Sequence, residues 1–184
     1  DSINFSNNEN VIIFDNEYGS NFLSLLNKNI NYKVCNLDKN GQVSLSTLER
    51  KIDKKTKMVF LCHIASQCGD SINVEAVGKL IKSINPNIIF VLDVCQSIGQ
   101  KEIDVKKIKC DVIFGSGRKY LRGPRGTGFI YLKSSLRRKI IPSLLDSKNA
   151  VIKNNGYKLK TFAYPFEVFE YSPALKLGLS NAIY

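Results

Sequence analysis

The sequence predicts an α/β fold: an open, mostly parallel sheet sandwiched by helices. Three observations carry this. Short apolar runs alternate with segments of helical spacing over most of the chain. One run, residues 88–94, is almost wholly apolar, as parallel strands covered on both faces are. Polar residues stand where such runs end: His63, Asp93, and the Ser116-Gly117-Arg118-Lys119 string. In open α/β sheets, ligands collect beyond the carboxyl ends of the strands.

Each element has its own signal. Residues 1–10 are polar and Asn-rich and read as an exposed lead-in. Residues 11–14 are a strand, and the turn-rich 15–21 segment leads to a short amphipathic helix through Phe22, Leu23, Leu25 and Leu26. Residues 32–37 form the next strand, closed by the turn Asp38-Lys39-Asn40-Gly41. Ser46 or Thr47 is expected to cap a helix through Leu48 and Ile52. Residues 57–63 are a strand, 64–70 a loop, and Asn73 caps a helix carrying Ala76, Val77, Leu80 and Ile81. After the strand at 88–94 come the 105–109 segment and a strand opening at Asp111. Beyond Lys133 the chain is less regular: 136–145 is basic and apolar, Asn154-Asn155-Gly156 is a turn, and 175–183 has helix spacing.

Composition excludes several classes. At 184 residues the chain can bury one sizeable core, and its 43% hydrophobic content is ordinary. No apolar run approaches the roughly 20 residues of a membrane helix, and no signal-peptide pattern opens the chain. The chain lacks an initial Met and stops in mid-pattern, so it reads as an internal piece. Five cysteines without C-x-x-C pairs read as free thiols in a reducing, cytoplasmic compartment. With one histidine, no zinc site is expected. The net charge of +11 invites a nucleic-acid reading, but the basic residues are scattered and no binding motif accompanies them.

The stretch 111–133 is the most informative. Between two apolar runs it holds Ser116, Thr127, several glycines and the cations Arg118, Lys119, Arg122 and Arg125. Clustered cations beside a hydroxyl suit a phosphate, and a lysine among other cations is a candidate amine nucleophile. No Walker A string occurs. A solvent-exposed basic hairpin loop is the plainer alternative. Likewise, Asp93 could cap the next helix, His63 could be a core residue and Arg118 a solvated charge.

Longer strings decide between these. Asp93-Val94-Cys95-Gln96-Ser97-Ile98-Gly99, then Asp104-Val105, Cys110-Asp111, Gly115-Ser116-Gly117-Arg118-Lys119 and Gly123-Pro124-Arg125-Gly126-Thr127-Gly128 closely resemble the class V aminotransferase-like family. These are fold-type I enzymes dependent on pyridoxal phosphate (PLP), and they include cysteine desulfurases, C–S lyases and epimerase-like members. The match extends through His63 and Glu17-Tyr18-Gly19-Ser20-Asn21 upstream and Phe166-Glu167-Val168-Phe169-Glu170 downstream.

The resemblance implies roles. Lys119 would form the Schiff base with PLP and act as general acid/base at the substrate Cα. Asp93 would pair with the pyridinium nitrogen, Gln96 with the ring hydroxyl, and His63 would stack on the ring as the second catalytic candidate. Ser116 and Arg118 would hold the phosphate. Residues 1–145 would be the PLP-binding large domain, lacking its N-terminal phosphate-binding segment. Residues 146–184 would begin the connection to a C-terminal small domain outside this chain. A homodimer acting on an amino acid or sulfur-containing small molecule is implied, with C–S cleavage the leading reaction and transamination or racemisation next. A catalytically inactive truncated paralogue that still binds PLP is the second reading, and a basic nucleic-acid-binding domain the last. Two departures stand out. Arg118-Lys119 replaces the usual His-Lys of desulfurases, resembling instead the branch with ergothioneine-type C–S lyases. Pro165 stands where an arginine commonly precedes Phe-Glu.

Overall fold

The computed structural model describes residues 2–137, 139–161 and 164–184; Arg138, inside the basic-apolar segment, lies outside them. Six strands make one sheet: β1 (Asn10–Phe14), β2 (Asn31–Cys35), β3 (Thr56–Cys62), β4 (Ile89–Asp93), β5 (Val112–Ser116) and β6 (Gly128–Leu132). Their order is β2-β1-β3-β4-β5-β6, and every neighbouring pair is parallel except β5 and β6.

Crossover helices follow from that order. The step from β1 to β2 through α1 (Gly19–Asn27) runs one way across the sheet. The steps through α2 (Leu45–Lys51), α3 (Val74–Ile84) and α4 (Val105–Ile108) run the other way. Right-handed crossovers therefore put α1 on one face and the other three on the opposite face. The packing agrees. Ile12 and Phe14 of β1 share a core with Leu48, Val77, Ile81 and Ile108, whereas Val11 and Ile13 share one with Phe22 and Leu25. Alternate residues of one strand thus enter opposite cores, which is why these strands carry apolar residues without a polar face.

Local chemistry sets the helix starts. Asn73 caps α3 as expected, accepting from Ala76 N at 3.2 Å, and Asp104 caps α4 through the N–H groups of Lys106 and Lys107. The cap of α2 is Ser44, not Ser46 or Thr47: Thr47 lies three residues into the turn and donates its N–H to Ser44 Oγ. The N-terminal segment also differs from an exposed lead-in. Ile3 and Phe5 pack on the second core, and Lys57 Nζ ties the Asn4 carbonyl (2.6 Å) to Glu9 Oε2 (2.7 Å).

After β6 come α5 (Ser134–Arg137), the hairpin β7 (Ala150–Lys153) and β8 (Gly156–Leu159), and α6 (Pro173–Ile183). The Asn154-Asn155-Gly156 turn closes that hairpin, whose strands the sequence did not announce. Helix α6 returns to the loop between β5 and β6. A β-carbon on Gly117 would clash with Thr127 Oγ1 and meet Leu179 Cδ1 at 2.8 Å. The loop's first turn therefore lies against the helix with room for no side chain at that position.

Candidate active site

The carboxyl ends of β1, β3, β4 and β5 meet at one edge of the sheet. Asp93 ends β4 and is 3% exposed. Its Oδ1 accepts from Cys95 N at 2.8 Å, a local turn bond of the kind a capping aspartate makes. Its Oδ2 is held from 72 residues away, by Asn21 Nδ2 at 3.1 Å. Asn21 lies in the first turn of α1, and the same amide nitrogen donates to Glu17 Oε1 at 2.9 Å. Oε1 also accepts from Tyr18 N at 2.8 Å, while Oε2 is buried with no hydrogen-bond partner.

Glu17, Cys62 and Asp93 bring one polar atom each to within 4.8 Å of one another. Burial pushes the Glu17 carboxyl up to about 7, and the Asp93 charge adds to the rise. Burial also drives the Cys62 thiol far above its usual range, with the Asp93 and Glu17 charges next and the Lys119 charge opposing them. The thiol donates to Ile64 O at 3.1 Å. A buried neutral thiol of this kind is a packing residue, not a nucleophile. Cys95 is likewise raised, first by burial and then by Asp93.

Lys119 is half-buried on the turn after β5, with Nζ 5.8 Å from the centre of the Tyr18 ring. Ser116, the last residue of β5, has a buried Oγ without a partner. Its neighbour is Cys95, whose raised thiol pKa Ser116 only partly offsets. Gln96 is half-buried and Arg118 exposed. His63 follows β3 and is 5% exposed; its backbone N–H donates to the Asp93 carbonyl at 3.0 Å, while its ring Nδ1 has no partner. It lines a separate recess of about 270 Å³ with Asn73, Glu75, Lys101 and Asp104. Burial, then the Lys101 charge, pushes the imidazole down to about 4, so the ring is neutral at neutral pH.

Asp93, Ser116 and Lys119 are thus brought to one edge, together with Glu17, Tyr18 and Asn21, which had no assigned roles. Two signals pointed to Glu17 and Asn21: the family-like string that contains them, and their spacing of four residues across a helix start just past a strand end. Buried polar atoms without partners among the described residues belong to Asn16, Glu17, His63 and Ser116, all just past or at the ends of β1, β3 and β5. Such atoms are rare in folded proteins, and these gather at the strand ends where open α/β sheets receive ligands.

This is an open α/β architecture of the class in which ligands collect beyond the carboxyl ends of the strands. The chain belongs to the aminotransferase class-V family, whose model matches residues 2–177. It is 28% identical over 185 residues to a protein described as "Probable cysteine desulfurase" in Methanothermobacter thermautotrophicus, covering 98% of this chain and 46% of that one. It is 31% identical over 144 residues to cysteine desulfurase SufS of Plasmodium falciparum, covering 75% of this chain and 26% of that one. The apo structure of a cysteine desulfurase from Thermococcus onnurineus superposes with a TM-score of 0.86 at 29% identity, covering 97% of this chain and 45% of that one. The chain therefore spans less than half the length of these relatives. They carry the desulfurase name, although Arg118-Lys119 resembles another branch. The family is PLP-dependent. The residues at this edge fit that group: a buried carboxylate for a ring nitrogen, an unpartnered hydroxyl for a phosphate and an amine for an aldehyde.

No helix among the described residues is long and apolar enough to cross a membrane.

Proposed function

We propose that this chain is the cofactor-binding part of a PLP-dependent enzyme that breaks the C–S bond of cysteine or a related sulfur amino acid. The observation that supports it most is the buried Asp93 carboxylate beside the loop that carries Lys119. Bound PLP supplies an electron-accepting ring, which makes removal of a substrate Cα proton feasible. Asp93 keeps a proton on the ring nitrogen, held in place by Asn21 and the Cys95 N–H. The Lys119 amine anchors the cofactor and then moves the proton at Cα. Ser116 Oγ and the Arg118 guanidinium hold the phosphate, and Gln96 holds the ring hydroxyl. His63 is the proposed partner of the ring face through its place just past β3, and Tyr18 is the ring that Lys119 approaches.

In this reading residues 1–145 bind the cofactor and 146–184 begin the connection to further chain. The enzyme is a cytoplasmic homodimer without membrane or nucleic-acid partners. The charge of +11 favours approach of an anionic cofactor. PLP titration of the chain with its natural flanks tests this: a new absorbance band at the edge of the visible should appear, persist in high salt and vanish in Lys119→Ala. Wild-type protein that takes up no PLP sinks the reading. Uptake without turnover of any amino acid leaves a PLP-binding protein that is not an enzyme.

A further inference from the structure

We propose that Glu17 is a positioning residue for Asp93: it acts through the Asn21 amide and carries the proton of the carboxyl pair, leaving Asp93 as its anion. This rests on the reading that Asp93 receives the cofactor nitrogen. The geometry has two parts. First, Asn21 Nδ2 has two hydrogens, and both are committed, one to Glu17 Oε1 (2.9 Å) and one to Asp93 Oδ2 (3.1 Å). The amide cannot rotate without losing one carboxyl, so Glu17 fixes the direction from which Asp93 is held. Second, the two oxygens of Glu17 are unlike. Oε1 accepts two hydrogen bonds, from Tyr18 N and Asn21, as a carbonyl oxygen does. Oε2 is buried and has none, which is the place of a hydroxyl. Two ionised carboxyls this close would repel in a site poor in water, and one proton between them removes the repulsion.

The titratable and charged groups around Glu17 agree with that assignment. Asp93 faces it from β4 and Cys62 from β3, one an anion and the other a neutral thiol. Cys95 lies beyond Asp93 as a second neutral thiol, and Lys119 reaches the same edge over the Tyr18 ring. Of the two carboxyls, Asp93 has a donor on each oxygen whereas Glu17 leaves Oε2 without one, and burial raises Glu17 to about 7. Glu17 is therefore the member that changes charge near neutral pH. When it ionises, the pair gains a second negative charge beside the ring nitrogen.

The test uses the full chain and PLP itself, with dissociation constants from absorbance titrations between about pH 6 and about pH 9. Glu17→Ala and Asn21→Ala should each weaken uptake about tenfold, and the double variant should be no weaker than either, because both break one chain of bonds. Glu17→Gln keeps an acceptor for Asn21 and cannot ionise. It should bind as the wild type does at the acid end and lose the wild-type inflection near pH 7. Infrared spectra of the unliganded protein should contain a protonated-carboxyl band that Glu17→Gln removes. Wild-type affinity in Glu17→Ala, additive losses in the double variant, or an inflection that survives in Glu17→Gln would each overturn the proposal. Should the wild type take up no PLP, the functional reading fails on its own, and the infrared band still decides which carboxyl holds the proton.

Discussion

A β-carbon on Gly99 would meet the Tyr120 carbonyl oxygen at 2.5 Å. The turn that follows Asp93 and the loop that carries Lys119 are therefore in direct backbone contact, and the spacing between acid and amine depends on it. Gly99 also has φ +86, a conformation that favours glycine. Gly99→Ala should destabilise the fold by about 1–3 kcal/mol in urea unfolding. It should also weaken PLP uptake, since Lys119 moves with Tyr120. Wild-type values for both would mean that the two segments shift independently.

A second contact, far from the site, carries stability. Asp111 is buried where β5 begins and binds Lys82 Nζ at the C-terminal end of α3. The same carboxylate accepts from Phe90 N at 2.9 Å, and Lys82 Nζ also donates to Ile88 O at 2.6 Å. Asp111→Ala leaves a nearly buried ammonium and an orphaned N–H, so a loss of about 3–5 kcal/mol is expected by denaturant titration. Replacing both partners by Asp111→Asn with Lys82→Met should cost less than Asp111→Ala alone. The reverse order would show that the ion pair is not the source of the effect.

Stability against pH should be flatter than either of two buried groups would make it. Glu17 has its folded pKa raised, from 4.5 to about 7, so the native state holds the proton that the unfolded chain releases between those values. Its contribution falls as pH rises through that window. His63 has its folded pKa lowered, from 6.5 to about 4, so protons favour the unfolded chain there and its contribution falls as pH drops from 6.5 to 4. The two slopes oppose each other over most of the same range. Glu17→Gln should expose a stability that rises with pH, and His63→Gln one that falls. Parallel profiles for the two variants would contradict both assignments.

Two rings compete for the role of stacking on the cofactor. His63 has the place past β3 but lines the neighbouring recess, whereas the Tyr18 ring lies 5.8 Å from Lys119 Nζ. With the stacking role in His63, His63→Leu should shift the PLP absorbance band and Tyr18→Leu should leave it in place. The opposite result would transfer the role to Tyr18.

Much of the scaffold was legible because it is local. The apolar run at 88–94 and the Asn73 cap announce themselves within a few residues. The errors arise where a signal is sparse or remote. Ile3 and Phe5 are single apolar residues in a polar stretch, and only the sheet face beneath them shows that they pack. Most residues of β7 and β8 are exposed, so no burial pattern marked them and only their turn was visible. At the site, Asp93 and Lys119 stood out through their strings. The bond from Asn21 to Asp93 spans 72 residues and exists because strand order places the start of α1 beside the end of β4. No local pattern encodes such a neighbour.

The strand order also has a temporal side. β1, the first strand of this sheet in chain order, lies between β2 and β3, and β4, β5 and β6 then attach in sequence along one side. Parallel pairing demands long chain closures before each attachment is rewarded. Glu17 and Asp93 can come together once β4 has docked, but Lys119 arrives only with the loop between the last two strands of the sheet. A nascent chain halted after β4 would hold the two carboxyls beside Cys62 without the ammonium that later faces them. Charge balance at this edge therefore waits on the loop between β5 and β6, the latest part of this sheet in chain order.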